Sequence, residues 1–358
     1  MPIKHLTMKK NASVFNLLLT TVVFLLLSAC KKSLTDSQTD SLPGTSNRNS
    51  TLTPLGTTPD VYVAGSDGGK AVYWKNGTEV VLPGGLMATG IVAIGTNVYV
   101  CGYGSGPVAQ YWLNGVLTNL SDGTNPVMAS GIAVSGTDVY IAGTEGLIFR
   151  TAVYWKNGVA TSLGLGVATG IAVSTSGDVY VSNSATASSG PTYWENGTLE
   201  TLPGDASSYL NAIAVQGSNV YAVGADGHGT YQTALYWLNG VSQTLSTSVN
   251  TDALAVAVTA TGQPVISGTT GQNGDLQIGY WSGGDLSTLS SGEFVSTSTG
   301  VAVDASGNIY VCGSQYNTVS TPPSVAWNWE ISSTGSVTSS QLSDGSVDAT
   351  AHAITLGQ

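Results

Sequence analysis

The sequence predicts an all-β protein, a seven-bladed β-propeller of four-stranded antiparallel blades. Two observations predict this fold: an apolar segment like Val-Tyr-Val-Ala-Gly recurs seven times, and a Tyr-Trp pair follows it in six copies. The spacing is 37 to 45 residues, with copies that begin at Val61, Val98, Val139, Val179, Val220, Pro264 and Ile309. Repeats of this length that each supply four short strands are typical of propeller blades.

The composition agrees with this fold class. The 358 residues include 46 glycines, and only 9% of the residues are charged. Glycine costs about 1 kcal/mol at each helix position, which argues against a helical protein. The low charge also argues against a charge-rich disordered chain.

Each repeat divides into four predicted strands. Gly-Ile-Ala-Val, clearest at Gly131 and Gly170, is the first, and a tight turn leads from it to Val-Tyr-Val-Ala-Gly. The third strand, Ala-Val-Tyr-Trp, ends at an Asn-Gly pair in five copies, and a leucine-containing stretch such as Val80–Leu82 is the fourth. Asn-Gly between apolar stretches is a strong hairpin signal, because both turn positions need positive φ.

The two ends of the repeat region predict how the ring closes. The first copy begins with a second strand near Asp60, and the last supplies only a first strand near His352–Ile354. We therefore expect the C-terminal strand to complete the first blade, which would remove an open sheet edge.

A resemblance supports the repeat assignment. The segment Gly300-Val-Ala-Val-Asp-Ala-Ser-Gly-Asn-Ile-Tyr-Val-Cys-Gly resembles NHL-type and kelch-like β-propeller repeats of bacterial proteins, and residues 59–358 fit that pattern. The resemblance implies the fold but no single function, because such propellers serve as binding platforms, scaffolds and enzymes.

The N-terminal segment predicts export. Lys4, Lys9 and Lys10 precede an apolar run from Ala12 to Ala29, a pattern typical of a signal peptide. A membrane-spanning helix is the alternative, although it needs about 20 mostly apolar residues. The run ends Leu27-Ser28-Ala29-Cys30, which resembles the bacterial lipobox.

The lipobox resemblance implies that residues 1–29 are removed and that Cys30 is diacylated. Residues 30–58 are rich in Ser, Thr, Asn, Pro and Gly and predict a flexible tether, whereas residues 59–358 form the propeller. The whole chain resembles a bacterial surface lipoprotein, which implies an extracytoplasmic place in the cell envelope. Lys31 is compatible with sorting to the outer membrane, by the same resemblance.

The charge distribution excludes some partners. From Pro59 onward, four basic residues stand against nineteen acidic ones, a net charge of −15. Such a domain repels phosphate backbones, so nucleic-acid binding is not expected. No basic patch favours direct binding to anionic lipid, so we expect membrane contact only through the lipid on Cys30. We expect a monomeric propeller without a cofactor.

The aromatic residues predict a binding face. All eight tryptophans lie in third strands and are assigned to packing. Within residues 59–358, six aromatic residues lie outside the repeat positions, and all six fall between second and third strands or between blades: Tyr103, Phe149, Tyr209, Tyr231, Phe294 and Tyr316. Both kinds of connection emerge on one face of a propeller. The alternative is that these residues are buried to order the loops.

Aromatic rings beside amide and carboxylate groups suit sugars or peptide side chains. We therefore predict recognition of a carbohydrate or a protein by Tyr103, Phe149, Arg150, His228, Tyr231 and Tyr316. A glycan-active enzyme with paired carboxylates and a structural component of an envelope complex are the alternatives.

The sequence predicts no catalytic residue and no metal site. The spacing places no base beside a nucleophile, and a metal site would require His228 and His352 to converge. His352 stands where other first strands have Gly, Ala, Ile or Val, so we expect it to be a structural exception. Cys101 and Cys312 share one repeat position that elsewhere holds small residues, and we expect both to be buried and unbridged.

Overall fold

The computed structural model describes residues 58–106, 108–184, 190–227, 232–245, 250–272, 275–290, 294–317 and 323–357. Within these ranges, 28 strands form seven antiparallel four-stranded sheets. The sheets are the blades of a seven-bladed β-propeller, so the predicted fold is confirmed. The described residues include no helix that could span a bilayer.

The blades follow the chain in order. The first contains β28 (Ala349–Leu356), β1 (Val61–Asp67), β2 (Lys70–Lys75) and β3 (Thr78–Val81). The second contains β4 (Gly85–Ile94), β5 (Asn97–Gly104), β6 (Ala109–Leu113) and β7 (Val116–Asn119). The third contains β8 (Val127–Ser135), β9 (Asp138–Glu145), β10 (Thr151–Lys156) and β11 (Val159–Leu165). The fourth contains β12 (Ala168–Val173), β13 (Val179–Asn183), β14 (Thr192–Glu195) and β15 (Thr198–Thr201).

The remaining three blades have the same strand order. The fifth contains β16 (Ser208–Gln216), β17 (Asn219–Asp226), β18 (Thr233–Leu238) and β19 (Val241–Thr244). The sixth contains β20 (Thr251–Val258), β21 (Pro264–Gln272), β22 (Asp275–Ser282) and β23 (Asp285–Thr288). The seventh contains β24 (Phe294–Val303), β25 (Ile309–Asn317), β26 (Val325–Ile331) and β27 (Val337–Gln341).

The C-terminal strand closes the ring as predicted. β28 pairs antiparallel with β1 and places Ile354 opposite Val63. Ile354 is buried in one cluster with Val63 and Trp74 of the first blade and Tyr310 of the seventh. The first strands of successive blades contact one another around the ring, whereas the fourth strands are largely exposed. The first strands therefore surround the axis.

The third-strand tryptophans pack between blades, as predicted. Trp112 is fully buried in one cluster with Ala71 and Leu82 of the preceding blade. Its indole Nε1 donates to the carbonyl oxygen of Pro83 at 3.0 Å, and Trp237 Nε1 donates in the same way to Pro203 at 2.8 Å. Each of these two side chains therefore joins its blade to the segment that leaves the preceding one.

The Asn-Gly turns carry a side-chain bridge in addition to the expected positive φ. Asn157, with φ of 50°, accepts a hydrogen bond on Oδ1 from the Val139 backbone N–H at 2.9 Å, and its Nδ2 donates to Asp138 Oδ1 at 2.8 Å. The same pair of bonds recurs at Asn76, Asn114, Asn196 and Asn239. Each asparagine therefore ties the turn that ends the third strand to the start of the second.

The sixth blade lacks both halves of this bridge. Its second strand begins at Pro264, which has no backbone N–H to donate, and its turn is Gly283-Gly284 instead of Asn-Gly. An asparagine at Gly283 would find no donor at Pro264. The sixth blade therefore lacks both the backbone N–H donor and the asparagine side chain that would accept its bond.

Both propeller cysteines are buried and free, as predicted. Cys101 and Cys312 have no accessible surface and form no disulfide. Burial raises the pKa of each thiol to about 12, so both are protonated at neutral pH.

Candidate functional site

Every first strand contains a β-bulge at the same point. In β4, Ala88 pairs with Gly102 and Gly90 pairs with Cys101, so that Thr89 is the extra residue. The equivalent extra residues, called the bulge ring below, are Thr89, Ser130, Thr169, Asn211, Leu254, Thr299 and His352. A bulge redirects a side chain and locally interrupts pairing.

The glycine that ends Val-Tyr-Val-Ala-Gly is explained by this bulge. A Cβ at Gly102 would collide with the backbone oxygen of Met87 in the neighbouring strand. Gly224 meets the Tyr209 carbonyl in the same way. The two strands therefore approach too closely here for any side chain.

The bulge ring surrounds a central cavity of about 670 Å³. All seven bulge residues line it, together with Tyr103, Arg150 and Tyr316. Gly146, Leu147 and Arg150, from the connection between β9 and β10, also belong to the wall. The cavity therefore reaches the face that carries the connections between second and third strands, called the loop face below.

Four bulge residues also bond one blade to the next. The acceptor is each time the carbonyl oxygen of the residue just before the next bulge: Thr89 to Ala129 (2.9 Å), Thr169 to Leu210 (3.2 Å), Asn211 to Ala253 (2.9 Å) and Thr299 to Ala351 (2.5 Å). Ser130 instead donates to Ala142 within its own blade, and Leu254 has no donor. His352 Nε2 lies 2.9 Å from Thr350 Oγ1.

The charge of the cavity wall differs from that of the domain. The described lining contains no aspartate or glutamate, although the propeller carries a net charge of −15. Arg150 is half-buried on this wall and forms no ion pair with a described residue, whereas Lys75 and Lys156 are paired with Asp60 and Asp138. Burial lowers the pKa of His352 to about 4, which leaves its imidazole neutral at pH 7.

A carboxyl group lies behind the bulge ring, between the fifth and sixth blades. Asp252 accepts hydrogen bonds from Asn211 Nδ2 at 2.7 Å and from the Tyr209 hydroxyl at 2.9 Å. Gln232 Nε2 donates to the same hydroxyl at 2.9 Å. Burial raises the pKa of Asp252 to about 7, although both bonds to the carboxyl oppose that shift. The network fixes Asn211 at the cavity wall.

The structure brings three of the predicted binding residues together. Tyr103, Arg150 and Tyr316 come from three different blades and line the cavity. Phe149 lies beside Arg150 but is 81% exposed and is not part of the wall. His228 and Tyr231, like the lipidation candidate Cys30, lie outside the described residues.

Four aromatic residues assigned to loops lie in strands instead. Tyr103 is the penultimate residue of β5 and pairs with both Met87 and Ala109, and Tyr316 lies in β25 opposite Val295. Tyr209 lies in β16, and Phe294 begins β24, although its side chain is outside the described part. The strands are longer than the repeat pattern because backbone pairing continues past the last repeated residue. All four positions remain at the strand ends nearest the loop face.

Half-burial of the two cavity tyrosines raises their pKa values. For Tyr103 the cause is burial alone, and its hydroxyl donates to Met87 Sδ at 3.1 Å. For Tyr316 burial is the main cause, with the charge of Asp348 second. Both phenols are therefore protonated at neutral pH. The Tyr316 hydroxyl can donate to a ligand directly, and the Tyr103 hydroxyl can do so by exchanging its bond to Met87 Sδ.

The predicted repeat position of His352 is wrong by one residue: Ala353, and not His352, is equivalent to the glycine of Gly-Ile-Ala-Val. The register places His352 with Thr89 and Thr299, directly before the Gly or Ala that starts the repeated Gly-Ile-Ala-Val pattern. It is therefore one member of the bulge ring and not an isolated exception. The signal was present, because six of the seven residues at this repeat position are polar.

Three solved structures resemble this chain at low sequence identity. TolB from Acinetobacter baumannii has a TM-score of 0.48 at 8% identity, over 83% of this chain and 66% of that one. The extracellular domain of a one component system from B. thetaiotaomicron has a TM-score of 0.41 at 13% identity, over 72% of this chain and 38% of that one. A GH74 enzyme from Niastella koreensis has a TM-score of 0.48 at 13% identity, over 81% of this chain and 58% of that one.

This chain spans less than two thirds of the length of each of these three proteins. Similarities of this strength say nothing about what this chain binds. No protein-family model matches the sequence, and no curated protein matches it either. The resemblance to NHL-type and kelch-like repeats therefore stays a prediction.

Proposed function

We propose that this protein is a lipid-anchored binding protein of the bacterial cell envelope, which recognises a carbohydrate or a protein at the loop face. One observation carries the proposal: Tyr103, Arg150 and Tyr316, singled out from the sequence because the repeat does not explain them, line one cavity. Residues from the second, third and seventh blades converge there. A packing role alone does not require that convergence.

The cavity has the properties of a ligand site. Its volume of about 670 Å³ lies within the range of about 300 to 1,000 Å³ that is typical of small-molecule sites. Its wall is mainly apolar, with a few polar groups from the bulge ring. Most of that wall is made of paired strands, so the site is formed before a ligand arrives and binding costs little ordering entropy.

The proposed binding mode is tested with a glycan array and an envelope-protein extract, each followed by product analysis. Binding without turnover supports the proposal. Turnover would favour the glycan-active enzyme, although the pair of carboxylates that it needs is not observed on the described cavity wall. Absence of any ligand, together with capture in an envelope complex through another face, would favour the structural role.

Single substitutions then locate the ligand. We expect Tyr103→Ala and Tyr316→Ala to weaken binding at least tenfold, because aromatic anchors dominate many interfaces. Phe149→Ala is the matched comparison, since this ring is exposed beside the cavity but not on its wall. Loss of binding only in Phe149→Ala would place the ligand on the outer loop and overturn the cavity as the site.

The anchor is tested separately. Cys30→Ala is expected to abolish labelling by fatty acid and to leave the precursor unprocessed. Cys101→Ala is the matched control, because this thiol is buried in the propeller. Equal fatty-acid incorporation in Cys30→Ala and the wild type would overturn the lipid anchor.

A further inference from the structure

We propose that the cavity binds the carboxyl terminus of a polypeptide that ends in an aliphatic residue, with Arg150 as the counter-ion of the terminal carboxylate. The inference rests on the proposed function, since it requires a ligand at the loop face, and it selects a protein over a carbohydrate. Four features of the cavity carry it: its charge, its aliphatic wall, a few polar groups on that wall and its apolar rim.

The charge of the cavity favours an anion. Arg150 is half-buried on the wall, and the described lining offers no carboxylate to neutralise it. A partly desolvated guanidinium without a partner favours a carboxylate, which it can bind through two parallel hydrogen bonds. The neutral imidazole of His352 adds no second charge, so the cavity suits a ligand group with one negative charge.

The body of the cavity favours an aliphatic group. Its wall includes one branched aliphatic residue from each of five consecutive blades, namely Ile91, Ile132, Ile171, Ile213 and Leu254. Sugars are usually held by aromatic faces and many hydrogen bonds, whereas most of the bulge-ring donors are already bonded to neighbouring carbonyls. The wall therefore fits an aliphatic side chain better than a sugar ring.

The polar groups favour a peptide over a simple fatty acid. Asn211 uses its Nδ2 for Asp252 and Ala253, and its Oδ1 makes no hydrogen bond with a described residue. That oxygen can accept a peptide N–H, and the hydroxyl of Tyr316 can donate to a peptide carbonyl. The Tyr103 hydroxyl can do so only by exchanging its bond to Met87 Sδ for one to the ligand. A hydrocarbon chain would leave Asn211 Oδ1 and the Tyr316 hydroxyl without partners, which costs binding energy.

The rim also favours a protein. Leu147, Ile148 and Phe149 are 59%, 70% and 81% exposed, and Leu147 belongs to the cavity wall. Exposed apolar residues grouped at the mouth of a site are typical of protein contact surfaces. They would contact the residues that precede the bound terminus.

The test compares two soluble peptides that differ at one group. Both have the sequence Gly-Ser-Gly-Ser-Ala-Leu, one with a free carboxyl terminus and the other with a carboxamide, and calorimetry measures their affinity for the full mature protein. We expect the acid to bind at least tenfold tighter than the amide. In Arg150→Gln we expect the two affinities to become equal, because the interaction between Arg150 and the carboxylate is what separates them.

Controls separate a folding defect from a binding defect. Lys75→Gln removes a positive charge in the first blade, at the end of β2 opposite the loop face, and should leave both affinities unchanged. The melting temperature of Arg150→Gln should equal that of the wild type. Equal affinity of acid and amide for the wild type, at measurable binding, would overturn the proposal.

Two further probes distinguish the outcomes. Octanoate that binds as tightly as the acid peptide would show an aliphatic-acid site without peptide recognition, and glucuronate that binds more tightly would show an acidic-sugar site; either result overturns this inference. A neutral glycan that requires Tyr103 but not Arg150 would leave the proposed function standing while this inference fails. If neither a probe nor an envelope component binds at the loop face, both the proposed function and this inference fail.

Discussion

Thr89 donates its hydroxyl to the carbonyl oxygen of Ala129 at 2.9 Å, across the boundary between the second and third blades. Thr169, Asn211 and Thr299 repeat this bond at three further boundaries. The bulge ring therefore does two things: it lines the cavity and it holds neighbouring blades together. A ligand that enters the cavity would meet groups that also stabilise the ring.

Removal of one such bond should destabilise the propeller modestly. We expect Thr89→Val to lower the free energy of unfolding by about 1 kcal/mol, since valine keeps the shape but cannot donate to Ala129. Urea unfolding measures the change. Thr118→Val, at an exposed position of β7, is the control and should stay within about 0.5 kcal/mol. Equal effects of both substitutions would mean that the bond between the blades contributes nothing.

The asparagine bridge predicts a contrast between two turns. We expect Asn157→Gly to lower the free energy of unfolding by about 1 kcal/mol or more, because glycine keeps the positive φ but loses the bonds to Val139 and Asp138. The reverse change in the sixth blade, Gly283→Asn, should not stabilise the protein, because Pro264 offers no N–H. Chemical denaturation of both variants checks this. Stabilisation by Gly283→Asn would show that the asparagine acts through backbone preference alone.

Truncation tests the closure of the ring. Deletion of residues 351–358 removes the pairing of Ala353 and Ile354 with β1. It also removes the buried side chains of Ala351 and Ile354. We expect a large fall in melting temperature, because the first blade would lose its innermost strand and the ring its closed seam. Deletion of residues 357–358 alone, which leaves β28 intact, should have a small effect. Similar melting temperatures for both truncations would contradict this closure.

Two ionisable groups make opposite contributions to the pH dependence of stability. The pKa of Asp252 is raised from 3.8 to about 7, so its folded form binds the proton more tightly and its contribution is lost as pH rises from about 4 to 7. The pKa of His352 is lowered from 6.5 to about 4, so its contribution increases as pH rises from about 4 to 6.5. The two trends largely oppose each other in the wild type.

Single variants should expose each trend. Between pH 4 and 7 we expect the stability of Asp252→Asn to rise with pH relative to the wild type, and that of His352→Gln to fall relative to it. Urea midpoints at pH 4, 5.5 and 7 give both slopes. Parallel profiles for all three proteins would mean that neither pKa is shifted by folding.

The two propeller thiols should be inaccessible but free. Because Cys101 and Cys312 are buried and their pKa values are raised to about 12, we expect no alkylation of the folded domain at pH 8. Unfolding without a reducing agent should release two reactive thiols from residues 59–358. Fewer than two would indicate a disulfide that the structure does not contain.

The sequence by itself determined the number of blades, the order of strands and the closure of the ring. These properties follow from local patterns that repeat, since Val-Tyr-Val-Ala-Gly, Tyr-Trp and Asn-Gly each specify a strand or turn wherever they occur. The missing first strand before Val61 and the extra one near His352 identify the closing pair for the same reason. The burial of the tryptophans and of Cys101 was also predictable, because equivalent positions of the repeat have similar environments.

Only the tertiary structure decided which residues line the cavity and in what geometry. The polar residue repeated at the position of Thr89 marks the bulge in the sequence, but its geometry arises only where β4 and β5 approach too closely for a Cβ at Gly102. Tyr103 and Tyr316 lie far apart in the chain and meet at one cavity only because the ring closes. The shifted pKa of Asp252 likewise depends on burial between two blades, and burial of a polar side chain is set by its neighbours in space rather than by its neighbours in sequence.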